Sequence, residues 1–182
     1  GSVENFKVFM KAVQEVSPVP VRFDEISSGA KGYYSNTEKE IVIQNGMSES
    51  QTMKTGIHEV THAMLHDRDF MEEQGEKKNQ MTKEVEAESV AYTVCQYFGL
   101  DTSDYSFPYI AGWSSSMDMK ELRTSMDTIR KTAGSFIDSM TEVIQRLMRE
   151  QPELSLSAMK QAEILIDRVE QERTLFSGEE RN

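Results

Sequence analysis

The sequence predicts an α+β fold in which a small antiparallel sheet is followed by a run of helices. Three observations carry that expectation. Short strand-like stretches cluster between residues 19 and 43, and apolar residues recur at helical spacing on both sides of them. The third is the stretch His58-Glu59-Val60-Thr61-His62, set inside one of those helical patterns. At 182 residues the chain can build one domain with its own core and carry an appended helical element. The expected division is a first domain over residues 3–116 and a helical hairpin over residues 117–182.

Gly1-Ser2 reads as a cloning scar, and the chain is expected to be a piece of a longer protein. Residues 3–16 place Phe6, Phe9 or Met10, and Val13 on one helical face, which should end before Pro18. From Val19 to Ile26 apolar and polar side chains alternate as in a half-buried strand, with Pro20 marking a strand start or an edge. Tyr33-Tyr34 begins a second strand, and the turn at residues 36–39 leads into a third at Ile41-Val42-Ile43.

Ser48, with Gln51 three residues later, has the pattern of a capping box. The helix it opens should reach about Leu65, with Met53, Ile57, Val60 and Met64 on its apolar stripe. His58 and His62 lie one turn apart, so both imidazoles can face a single metal ion at the flank of that stripe, while Glu59 beside them is free to act as a base. His66 is eight residues beyond His58, about 12 Å along the axis at 1.5 Å per residue, too far for all three rings to share one ion.

Residues 68–80, charged and interrupted by Gly75, read as a surface loop. A second helix is expected from Thr82 to Phe98, closed by Gly99, with Ala87, Val90, Ala91, Val94 and Phe98 buried. On it Glu84 and Glu88 share an edge, whereas Glu86 points away from both. A catalytic zinc set needs a third protein ligand and leaves a fourth position for water, and a neighbouring carboxylate can orient a ligating imidazole. Geometry selects the pair Glu84 and Glu88 for these tasks. Neither His66 nor Glu86 is expected to affect zinc affinity.

Residues 100–116 hold Tyr105, Phe107, Tyr109 and Trp113; Phe107 and Trp113 read as core plugs, while Tyr105 or Tyr109 could stabilise an oxyanion. Cys95 reads as an inert buried thiol. From residue 118, Leu122, Met126, Ile129, Ala133, Phe136, Met140, Val143 and Leu147 form a heptad seam on a helix about 48 Å long. A return helix over residues 154–175, after Pro152, should cover it, which favours a monomer over a dimer.

Lys plus Arg total 20 against 31 Asp plus Glu, a formal charge of -11. That balance argues against unspecific binding to nucleic acid or anionic membranes. The one cysteine cannot form an internal disulfide, and no apolar run is long enough to span a bilayer, so an intracellular protein is expected.

Residues 32–67, together with Glu84-Val85-Glu86-Ala87-Glu88-Ser89-Val90-Ala91-Tyr92 and residues 101–107, resemble the zincin-type metallopeptidase domain of ArdC-like antirestriction and LtrC-like proteins of bacterial conjugative elements. The chain is more distantly similar to the ImmA/IrrE peptidases. The resemblance implies a zincin-like fold, one Zn2+ per chain, a bacterial cytoplasmic setting and a protein or peptide substrate. It assigns His58, His62 and Glu84 as metal ligands, Glu59 as the catalytic base and Glu88 as the carboxylate that orients a ligating imidazole. The single-stranded-DNA-binding domain of ArdC relatives has no counterpart in this sequence, so direct nucleic-acid binding is not expected. The expected function is zinc-dependent peptide hydrolysis with a restricted substrate, aligned on an exposed strand such as the one around Ile41. The alternative is a non-catalytic, metal-stabilised acidic binding module acting in antirestriction or regulation.

Overall fold

Three consecutive β-branched residues, Ile41, Val42 and Ile43, suit a strand covered on both faces. The computed structural model, which describes residues 6–103 and 110–150, buries all three at the centre of its sheet. The strands are β1 (Val21–Asp24), β2 (Gly32–Ser35) and β3 (Glu40–Gln44), in the order β1-β3-β2. β2 is antiparallel to β3, with Tyr33 opposite Val42, but β1 is parallel to it, with Val21 opposite Ile41.

The sheet is therefore mixed, which corrects the expectation of an antiparallel one. The most apolar strand takes the middle, and the two more polar strands take the edges. β1 starts only after Pro20, whose carbonyl still accepts from Ile41 N at 2.8 Å. Its exposed Arg22 is tied across to Glu40 on β3 (Nη2–Oε1 3.0 Å).

Helix α1 (Phe6–Val16) buries Met10 and Val13, as their spacing requires. In α2 (Glu49–Leu65) Ser48 is the N-cap, its Oγ accepting from Gln51 N at 3.2 Å. The Gln51 side chain does not close the capping box; it accepts from Lys31 Nζ and donates to Thr55. Met53, Ile57 and Val60 are fully buried, and Thr55 and Glu59 on the opposite side of the helix are buried too. α2 thus lacks the single apolar stripe expected of it, because α1, the sheet and α4 (Gln80–Tyr97) surround it.

A short helix α3 (Arg68–Glu73) occupies the first half of the expected surface loop. Asp67 causes it. Its Oδ1 accepts from Phe70 N at 3.0 Å, while its Oδ2 accepts from Tyr34 Oη and Lys39 Nζ, both at 2.5 Å. Burial alone would raise the Asp67 carboxyl, but these donors hold it down at about 2. Its folded pKa is depressed, so its contribution is complete above the ordinary value of 3.8 and is lost as pH falls through about 2. Asp67→Ala should cost about 1–2 kcal/mol at neutral pH. In denaturant titrations the gap between parent and variant should narrow below about pH 4; an equal stability at pH 7 would rule this anchor out.

Asn79 caps α4 (Oδ1 to Thr82 N 2.8 Å), so the helix begins two residues before Thr82, and Gly99 closes it at φ +69°. Ala87, Val90, Ala91, Val94 and Cys95 are buried, whereas Phe98 lies half-buried, edge-on to Phe9. In α5 (Ile110–Ser115) Trp113 packs into the core and donates from Nε1 to Thr82 Oγ1 at 3.1 Å. Tyr105, Phe107 and Tyr109 lie outside the described residues, as does the expected return helix over residues 154–175.

Helix α6 (Met119–Glu150) is continuous, and Ala133, Phe136 and Met140 are buried as the heptad spacing predicts. The seam fails at its start: Met126 is 58% exposed, and Ser125 is buried instead. The Ser125 hydroxyl reaches Glu86 Oε1 at 2.5 Å, and a buried polar contact there fixes the helix rotation. The chain divides into two compact units, residues 1–144 and 145–182; the described part of the second is the last six residues of α6. Among the described residues no helix is long and apolar enough to cross a membrane.

Candidate metal centre

α2 carries His58, Glu59 and His62, and α4 packs beside it with Glu84, Glu86 and Glu88. One helical turn separates the two histidines, so both rings leave the same side of α2 and face α4. Their Nε2 atoms stand 3.1 Å apart. Glu84 reaches over both, with Oε2 3.4 Å from His58 Nε2 and Oε1 3.6 Å from His62 Nε2. One ligand atom from each of His58, His62 and Glu84 lies within 4.8 Å of the others, a set that can hold a metal ion.

The charges favour a cation at this point. Burial by itself would lower the His58 pKa, but the Glu84 and Glu88 carboxylates outweigh it and push the ring up to about 10. Glu84 is held well below the ordinary carboxylate range, first by the hydrogen bonds of His58 and His62. Glu59, 9% exposed, shows the opposite shift. Burial raises its carboxyl, offset in part by the charges of His58 and His62 and by the Tyr34 backbone hydrogen bond.

Glu88 accepts from His58 Nδ1 at 3.0 Å, the nitrogen turned away from the ligand set. Glu84 thus lies toward Nε2 of both rings, and Glu88 toward Nδ1 of His58. His66 and Glu86 were not expected to matter, and the structure puts both against the site. His66, at the end of α2, meets His62 Nδ1 with its own Nδ1 at 2.9 Å, and its Nε2 stands 2.9 Å from Glu86 Oε2. Glu86 does point away from Glu84, but into the core, where it is fully buried. The signal that could have found them is the repeat of the four-residue histidine spacing from His62 to His66, which keeps a third ring on the same helix face.

Glu59 lies against β2. A Cβ on Gly32 would stand 2.6 Å from Thr55 Cγ2 and 3.3 Å from Glu59 Cγ, so only glycine lets the strand come this close. Open clefts flank Glu59 on both sides along β2, one lined by Lys31, Gln51 and Thr55, the other by Tyr34, Asn36 and Lys83. The strand around Ile41 cannot receive a substrate, because β3 is paired along both edges. Among the described residues, the unpaired edge of the sheet beside the site belongs to β2.

No family model matches the chain, and no solved structure matches it. Over 112 residues it is 36% identical to pXO2-81, an uncharacterized plasmid protein of Bacillus anthracis. That match covers 61% of this chain, which spans 18% of the relative's length.

Proposed function

We propose that this chain is a zinc-dependent peptidase of a bacterial mobile genetic element, with a restricted protein substrate. The observation that carries the reading is the closure of two imidazole nitrogens and one carboxylate around a point beside the buried Glu59. Zinc bonds of about 2.0–2.1 Å in a tetrahedron place ligand atoms about 3.3 Å apart; the two Nε2 atoms stand 3.1 Å apart, and Glu84 brings one oxygen to 3.4 Å from His58 Nε2 and the other to 3.6 Å from His62 Nε2. Three protein ligands would leave the fourth position to water, the pattern of catalytic rather than structural zinc. When bound there, zinc would lower the pKa of water and polarise a peptide carbonyl.

Glu59 then acts on the water. Its carboxylate takes a proton as the water oxygen bonds to the carbonyl carbon, and returns it to the amine nitrogen as the C–N bond breaks. The free edge of β2 offers backbone groups to an extended substrate passing the flanking clefts. The resemblance of the ligand-bearing helices to zincin domains of conjugative elements supports this reading, as does the plasmid origin of the Bacillus anthracis relative.

The formal charge of -11 favours a second reading, an acidic metal-stabilised module that binds a partner and cleaves nothing. Elemental analysis is the first test: purified protein should hold about one zinc per chain, removable by chelation and restored by added zinc. A search for new protein N-termini in a host lysate should then find cleavage by the zinc form and none by the chelated one. Protein that takes up no transition metal at neutral pH, even when zinc is supplied, ends the peptidase reading.

A further inference from the structure

We infer that His66 and Glu86 are positioning residues for His62, forming a buried relay that fixes which of its ring nitrogens faces the metal point. The inference rests on the reading of His62 as a ligand, and it assigns a task to two residues that the reading itself leaves idle.

Glu86 is fully buried and takes three donors: His66 Nε2 and Lys78 Nζ on Oε2, each at 2.9 Å, and Ser125 Oγ on Oε1 at 2.5 Å. A buried carboxylate costs several kcal/mol to desolvate, so such a group is kept only where its partners are well placed. Lys78 already balances the charge, which lets His66 stay neutral. An ionised carboxylate can only accept, so His66 must donate from Nε2.

A neutral imidazole carries one N–H, so His66 Nδ1 is left as an acceptor. The 2.9 Å contact between the two Nδ1 atoms then needs its proton from His62. With Nδ1 protonated, His62 keeps its lone pair on Nε2, the atom 3.1 Å from His58 Nε2 and 3.6 Å from Glu84 Oε1. With His66 neutral, each link in the chain admits one proton order.

The result matches what Glu88 does for His58 by a single direct contact at 3.0 Å. The two ligating rings therefore reach the same tautomer by different routes, one through a carboxylate and the other through an imidazole and then a carboxylate. Through Ser125 and Lys78, helix α6 and the segment before α4 also hold the ring of His62 in place.

Two measurements test the relay. In nitrogen NMR of the zinc-loaded parent protein, His62 should be protonated at Nδ1 and His66 at Nε2; a His66 proton on Nδ1 overturns the relay without any variant being made. In zinc competition with a chromogenic chelator, His66→Leu should weaken zinc by about 10- to 100-fold. His66→Asn, whose amide oxygen replaces the Nδ1 acceptor, should recover most of that loss. A merely structural His66 would leave both variants with the parent's zinc affinity, or weaken them equally, and either result rejects the inference. If the parent binds no zinc, the relay and the peptidase reading fall together; zinc bound equally well by parent and His66→Leu removes the relay alone.

Discussion

Glu59→Gln should leave about one zinc per chain and cut peptide hydrolysis by about 10^2- to 10^4-fold, the usual loss on removing a general base. The amide keeps the shape of the side chain against Gly32 and Thr55, so the packing of β2 on α2 should survive. What it loses is the ability to take a proton from water. Glu59 also stays outside the set of groups whose atoms close on the metal point, which is formed by His58, His62 and Glu84. Metal content and turnover should therefore separate in this variant. If Glu59→Gln equals the parent in whatever host process the protein serves, Glu59 is no base and the binding-module reading replaces the peptidase.

The parts of the site that were legible in the sequence are those fixed by one helix at a time. His58 and His62 share a face because 3.6 residues make a turn, and Glu84 and Glu88 share an edge for the same reason. What periodicity could not give is the inward side of a helix packed on several neighbours. Glu86 was read as pointing away from the site, which is true of its direction on α4, yet away there means into the core beside His66, Lys78 and Ser125.

The same limit explains the missed rotation of α6, where a serine is buried in place of Met126 because a carboxylate from α4 waits for it. The sheet was misread for a related reason. Strand order depends on which strand needs cover on both faces, and Ile41, Val42 and Ile43 claimed the centre. Helix α3 was missed because its cap, Asp67, is held by Tyr34 and Lys39, residues some thirty positions earlier in the chain.

Glu84→Ala should lower zinc affinity by more than the roughly 10- to 100-fold expected when an outer partner of a ligand is lost, and Glu88→Ala should stay within that range. The two carboxylates sit one turn apart on α4, and their geometry separates their tasks. Glu84 spreads its two oxygens over both Nε2 atoms at 3.4 and 3.6 Å, so its removal takes away one of three converging groups. Glu88 touches only His58 Nδ1, at 3.0 Å, so its removal frees the ring to turn but leaves all three ligand atoms in the chain.

Glu84 is also 40% exposed at its side chain, so truncating it should leave the fold intact and the loss can be read as a loss of ligation. Zinc competition across the two variants, with circular dichroism to confirm equal folding, measures the difference directly. A larger loss for Glu88→Ala would exchange their roles and move the third ligand one turn along α4, and equal losses would reject the division of tasks.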